Sequence, residues 1–251
     1  MKVTCPYPAG VMSSAALPRF IPDHELAALM NGVQQLSDPH QRAALIVARW
    51  SGARRDEIRR LAVDCLDSYP DGHPRLRIPV GKGYAERSIP LHPQAAEALQ
   101  PVIELARRQQ AWPRFDPSAG RIVQHVFLMR GKLLSNTFLF DQPLKTACTA
   151  AGLVDAAGKP TISAHRFRHT IGTQLAEGGA WIQTIMALLG HRSPNMAIIY
   201  GTLSEPPSNS STRTPSTGTW ALTSRLPGRP PRPYVSTAST QKPSHGCKPT
   251  S

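Results

Sequence analysis

Apolar residues recur every three to four positions along most of the chain, separated by short polar breaks, and that rhythm predicts a mainly helical protein. PDHELAALMNGVQQL (22–36) reads as an amphipathic helix starting at Pro22 or Asp23. QRAALIVARWSG (41–52) is apolar almost throughout, which predicts a buried helix stopped by Gly52. RRDEIRRLAVDCL (54–66) starts another helix. RLRIPV and RSIPL read as short strands flanking GKGYAE, a glycine-containing hairpin. PQAAEALQPVIELARRQQ (93–110) is a helix with Pro93 in its first turn. SNTFLFDQPLKTACTAAG (135–152) reads as helical, disturbed by Pro143 and ended by glycine. SAHRFRHTIGTQLAEGG (163–179) has Ser163 as N-cap, with His165, Arg168 and His169 on one arc and Phe167 and Ile171 on the other. AWIQTIMALLG (180–190) is apolar at 182, 185, 186 and 189 and stops at Gly190, and SPNMAIIYG (193–201) starts with Ser193 and Pro194. The pattern gives an α+β class: mainly α, with one small β-hairpin or sheet and no internal repeat.

The flanks differ in composition. Residues 1–17 carry no period and read as a flexible leader, 18–204 as the folded domain, and 205–251 as a disordered Pro/Ser/Thr-rich tail. A formal net charge of +13 points to a polyanionic partner, with double-stranded DNA the leading candidate over an acidic membrane surface. Aromatic residues make up 6% of the chain, too few to suggest a base-stacking platform of the RNA-binding kind. Cys5, Cys65, Cys148 and Cys247 are scattered without CxxC spacing, so no zinc site is expected. No apolar run reaches membrane-spanning length, no signal peptide is evident, and a cytoplasmic location is the default expectation.

The candidate chemistry sits at element ends. Arg54 follows a helix stop, Lys82 lies between two glycines at a hairpin tip, His165 and Arg168 share what reads as an exposed helix face, His191 follows a glycine stop, and Tyr200 closes the last predicted helix. Metal-free phosphodiester chemistry needs these parts: guanidinium groups for the non-bridging oxygens, an in-line nucleophile, and a proton donor for the leaving oxygen. Taken singly, each has a simpler reading as surface charge, turn chemistry or core. Glu57 reads as an orienting partner for an arginine rather than a catalytic acid. His169 reads as support for its helix or for the neighbouring clamp, with direct catalysis the alternative. Arg55, Arg59, Arg60, Arg166 and Arg192 read as phosphate-contacting or solvated.

The order of these segments resembles the catalytic domain of the tyrosine recombinases, the phage-integrase family. SGARRDE is similar to the family's T-G-x-R-x-x-E box at Arg54 and Glu57, GKGYAERSIPL to its hairpin lysine motif, and HRFRH to H-x-L-R-H with Phe167 in place of leucine. LGHRSPNMAIIY is similar to the L-G-H motif followed nine residues later by tyrosine. The resemblance implies the family's catalytic-domain fold and a cofactor-free, metal-free site of Arg54, Lys82, His165, Arg168, His191 and Tyr200. In that site Tyr200 attacks the phosphate and His165 takes its proton. Arg54, Arg168 and His191 hold the oxygens, and Lys82 protonates the leaving 5′-oxygen. It also implies a tetramer on DNA and a monomer without it. The stretch 165–191 is closer in flavour to recombinases of transposons and integrated elements than to the chromosome-dimer-resolving branch.

Two departures stand out. The family's N-terminal core-binding domain has no counterpart in the short leader, and after Tyr200 the chain runs into GTLSEPPSNSSTRTPSTG rather than a docking helix. The function expected is therefore site-specific DNA cutting and rejoining, for integration or transposition of a mobile element. The alternative is a catalytically defective DNA-binding remnant of such an enzyme, and a topoisomerase of the same chemistry fits the short hairpin less well. Counterion release by the basic surface predicts that duplex affinity, measured from about 50 to 200 mM salt, falls by about a decade or more. A flat salt response would exclude DNA as the partner.

Overall fold

The computed structural model describes residues 20–81, 85–109, 113–117 and 120–191. Its central helix starts from local chemistry. The Asp38 carboxylate accepts the His40 and Gln41 N–H groups at 2.8 and 3.0 Å, Pro39 fits the first turn, and α2 runs Pro39–Ser51. Ala43 to Ala48 are all buried, as the unbroken apolar run predicts, and Gly52 ends the helix in the left-handed conformation. Around α2 pack α1 (Asp23–Gln34), α4 (Pro93–Arg108), α5 (Gln142–Ala150) and α6 (Ala164–Glu177). Leu29, Leu45, Leu99, Phe140 and Phe167 meet in one core. α7 (Ile182–Leu189) closes on α6 through a second, smaller cluster of Ile171, Leu175, Ile185 and Leu189.

The helix expected from Arg54 onward is shorter than its pattern suggests: α3 spans Arg55–Arg59. Beyond it the backbone pairs elsewhere. The Val63 N–H donates to the Gln124 carbonyl at 2.9 Å and the Val126 N–H to the Leu61 carbonyl at 2.8 Å, so long-range pairing overrides local helix preference. The segment 135–152 is also divided. A π-helical turn, Thr137–Asp141, precedes α5, because Pro143 has no N–H to offer the Leu139 carbonyl and the chain ahead of it winds wider. Ser163 stands at the N-cap of α6 but makes no side-chain capping bond.

Sheet content exceeds the single hairpin expected. β2 (Pro74–Ile78) and β3 (Arg87–Pro90) form that hairpin, with Leu76 opposite Ile89 and Ile78 opposite Arg87, and β1 (Leu66–Ser68) adds a third antiparallel strand. Leu76, Ile78 and Ile89 turn inward. Two further pairs, β4 (Arg114–Asp116) with β5 (Arg121–Val123) and β6 (Leu128–Met129) with β7 (Lys132–Leu133), are too short to show alternation. The fold is the mainly helical α+β arrangement expected. Among the described residues no helix is long and apolar enough to cross a membrane. The leader, the helix expected over 193–201 and the tail lie outside the described residues.

Gly52 shows how tightly the two clusters meet. Its φ is +60°, and a Cβ there would lie 2.7 Å from Leu189 Cδ2, whereas at Gly72, with φ +84°, a Cβ would meet nothing within 4 Å. Gly72→Ala should therefore cost the left-handed backbone strain alone, about 1–2 kcal/mol. Gly52→Ala should cost about 1–3 kcal/mol beyond that from overpacking, as read by denaturant unfolding.

Candidate active site

Arg54 occupies the N-cap position of α3, and its own backbone begins the site: its N–H donates to Glu57 Oε2 at 2.9 Å while its Nη1 reaches Glu57 Oε1 at 3.2 Å. A second arginine meets the same carboxylate. Arg87, the first residue of β3, donates Nη2 to Glu57 Oε2 at 2.9 Å and Nη1 to Oε1 at 3.2 Å. Glu57 is 1% exposed, and the four donors fill the acceptor sites a carboxylate offers. Burial alone would push its pKa up. The hydrogen bonds and charge of Arg87, and then those of Arg54, outweigh that effect and hold the carboxyl below its ordinary value.

Arg168 departs from expectation. It is not on an exposed face but 4% exposed, donating Nη1 to the Gly52 carbonyl at 2.8 Å and Nη2 to the Leu189 carbonyl. Both acceptors lie at helix C-termini, where unpaired carbonyls carry partial negative charge, so two helix ends compensate the buried cation. The cation's place is thereby fixed by α2 and α7 together.

His191 follows the left-handed Gly190, and its N–H donates to the Met186 carbonyl at 2.9 Å. Burial first, then the positive charges of Arg168, Arg54, Arg87 and His169, push its pKa down to about 4. The same field shows that these groups share one neighbourhood. His165 is exposed and stands edge-on to His169, ring centroids 4.8 Å apart. His169 thus touches His165 and acts electrostatically on His191.

Arg54, Arg168 and His191 therefore share one neighbourhood with Arg87 and His169, and His165 meets it through its ring contact with His169. Lys82 and Tyr200 lie outside the described residues. The described chain reaches Gly81, where a Cβ would lie 2.9 Å from Glu57 Oε1.

Residues 19–205 match the model of the Phage integrase family. The chain belongs to this family, the tyrosine recombinases. Among curated relatives, the tyrosine recombinase XerD of Corynebacterium glutamicum is 30% identical over 203 residues, covering 76% of this chain and 60% of that protein. XerD of Mycobacterium tuberculosis is 32% identical over 199 residues, covering 74% and 57%. The chain thus spans about three fifths of the length of these relatives. In fold it is similar to the XerH site-specific recombinase bound to palindromic difH substrate (TM-score 0.59, 21% identity, 75% of this chain and 50% of that one). It is also similar to the Tn1549 transposon integrase in complex with circular intermediate DNA (TM-score 0.55, 19% identity, 75% and 62%).

Within this recombinase domain, sequence reasoning missed Arg87. Glu57 was assigned an arginine partner, and a search of the basic residues in the lysine-bearing hairpin would have supplied the second one. Of the flanking arginines, Arg55 is exposed, as its solvated reading has it, whereas Arg59 and Arg166 are half-buried. Arg55 pairs with Asp141 at 2.8 Å and Arg59 with Asp56 at 2.8 Å. Arg166 donates to the Thr161 and Phe20 carbonyls at 2.9 and 2.8 Å, and Arg60 is buried. Arg192 lies outside the described residues.

The His191 environment sets a pH dependence. Its folded pKa of about 4 lies below the ordinary value of 6.5, so between these values the unfolded chain binds more protons and stability rises with pH. Stability should fall as pH drops from 6.5 toward 4, by up to about 1.4 kcal/mol per pH unit from this group. Between pH 7 and 5, above the range where depressed carboxylates titrate, the melting temperature of the native chain should drop more than that of His191→Gln. Equal drops would mean that His191 is not held neutral.

Proposed function

We propose that this chain is a DNA strand transferase that cuts and rejoins duplex DNA through a 3′-phosphotyrosine, using Arg54, Lys82, His165, Arg168, His191 and Tyr200. The observation that carries the reading is the gathering of Arg54, Arg168 and His191 around the Glu57–Arg87 pair. Two guanidinium groups there are charged at any working pH, and His191 is a neutral imidazole that can donate a hydrogen bond without titrating. XerH bound to its palindromic difH substrate and the Tn1549 integrase in complex with circular intermediate DNA support DNA as the partner.

In the reaction the Tyr200 oxygen bonds to the scissile phosphorus as the bond to the 5′-oxygen breaks. His165 accepts the phenolic proton, needed because tyrosine ordinarily ionises near pH 10. Lys82 gives a proton to the departing 5′-oxygen. Arg54, Arg168 and His191 stabilise the charge on the non-bridging oxygens of the pentacoordinate state. Attack by another strand's 5′-hydroxyl on the phosphotyrosine reverses the sequence and seals the new junction, without ATP or metal. Active sites in a tetramer and the domain limits 18–204 belong to the same reading. The recombinase serves a mobile element, a reading supported by the flavour of residues 165–191. Cytoplasmic residence follows from a DNA substrate.

A second reading rests on the sequence beyond Glu205. Its Pro/Ser/Thr-rich composition lacks an apolar helical face for docking on a neighbouring protomer, which favours a chain that cleaves without exchanging strands.

The test uses a nicked duplex whose site is selected from a randomised library by adduct formation, with EDTA present. A covalent 3′-adduct should form. Tyr200→Phe should abolish it with duplex affinity unchanged, and Arg54→Lys should slow it by about 10²–10³-fold. A metal requirement would refute the mechanism, and efficient strand exchange by this chain alone would refute the second reading.

A further inference from the structure

Arg60 is the least expected of the basic residues near the site. It follows α3 directly, is 9% exposed, and its guanidinium serves three partners. Nε donates to Asp56 Oδ2 at 3.1 Å, Nη1 lies 3.7 Å from Asp116 Oδ2, and Nη2 donates to the Val80 carbonyl at 2.8 Å. Its own carbonyl bonds His125 Nδ1 at 3.0 Å, so the backbone beneath the side chain is also fixed. The guanidinium is thus engaged within the domain rather than laid on its surface.

The significance lies in what Val80 leads to. Gly81 comes next and abuts Glu57, and Lys82 follows. On the far side of the same stretch, Arg87 clamps Glu57 and donates Nε to the Leu188 carbonyl at 3.2 Å. Both ends of the lysine-bearing segment are thus tied to residues 57 and 60 around one short helix, the near end through a main-chain carbonyl. A carbonyl anchor fixes where the backbone leaves the sheet whatever side chain follows.

We propose that Arg60 is a positioning residue for proton delivery to the leaving 5′-oxygen, acting through Val80 and Gly81 on Lys82. The inference rests on the reading of Lys82 as the proton donor. An alkoxide, conjugate to a group about as weakly acidic as water, leaves poorly without a proton, and a displacement of about 1 Å in the donor can cost about 10²-fold. Replacing Arg60 removes the donor that holds Val80 and frees that end of the segment.

The test compares two nicked duplexes on the full chain, one with the natural 5′-oxygen at the scissile bond and one with sulfur in its place. A thiol ionises near pH 8.5, so the thiolate leaves without general acid. Single-turnover adduct formation is measured on both with the same preparation, and the oxygen-to-sulfur rate ratio is independent of how much protein is folded. Lys82→Ala should lower that ratio strongly. Arg60→Met and the charge-retaining Arg60→Lys should lower it by about 10–100-fold, with duplex affinity unchanged. If Lys82→Ala lowers the ratio and both Arg60 variants leave it at the native value, Arg60 does not position the donor and the inference fails. If Lys82→Ala leaves the ratio unchanged, Lys82 is not the proton donor and the inference falls with that reading.

Discussion

The buried Glu57 carboxylate is the constraint on which the site depends. A lone carboxylate at that depth would be expelled or protonated, so its ionised form exists because four N–H donors surround it. Those donors come from two places far apart in the chain, the N-cap of α3 and the start of β3. Arg87 then passes the constraint on, through the Leu188 carbonyl, to the last turn of α7. Gly190 lets this happen: a Cβ there would lie 2.9 Å from Arg87 Cζ. One acid thus sets the relative placement of the first arginine, the hairpin and the histidine that follows α7.

The same arrangement settles the charge states. Arg54, Arg87 and Arg168 cluster more tightly than mutual repulsion favours, and two kinds of negative compensation make it tolerable. Glu57 supplies a full charge, and the C-termini of α2 and α7 supply partial charges to Arg168. The surplus positive potential falls on His191, a buried neighbour that can shed a proton. Its neutrality therefore follows first from its burial and then from the arginines around it.

The long helices, their glycine stops and the β2–β3 hairpin were legible because periodicity and turn chemistry agree over many residues. β1 and the two short pairs were not, since two or three residues cannot show a period. α3 ended early because residues 61–63 pair with 124–126, a long-range contact with no local signal. At the site, motif order points to Arg54, Arg168 and His191 but not to their environment. Arg168 lies on the arc predicted, yet the arc faces two helix ends rather than solvent. Arg60 and Arg87 look like any surface arginine in a basic chain, and only the burial of Glu57 and the Val80 carbonyl distinguishes them.

The division of the apolar interior into two clusters has a consequence for partial unfolding. α7 contributes Ile185 and Leu189 as its buried side chains to the smaller cluster, while its half-buried Leu188 packs on the larger cluster around α2. Opening α7 alone would forfeit the smaller cluster, one carbonyl from Arg168, one from Arg87, and the seat of His191. Were α7 to open before the larger cluster, that step alone would dismantle the site, and amide exchange would show α7 unprotected while α2 stays protected. The geometry around Arg168 and His191 thus depends on a helix whose opening would leave most of the fold intact.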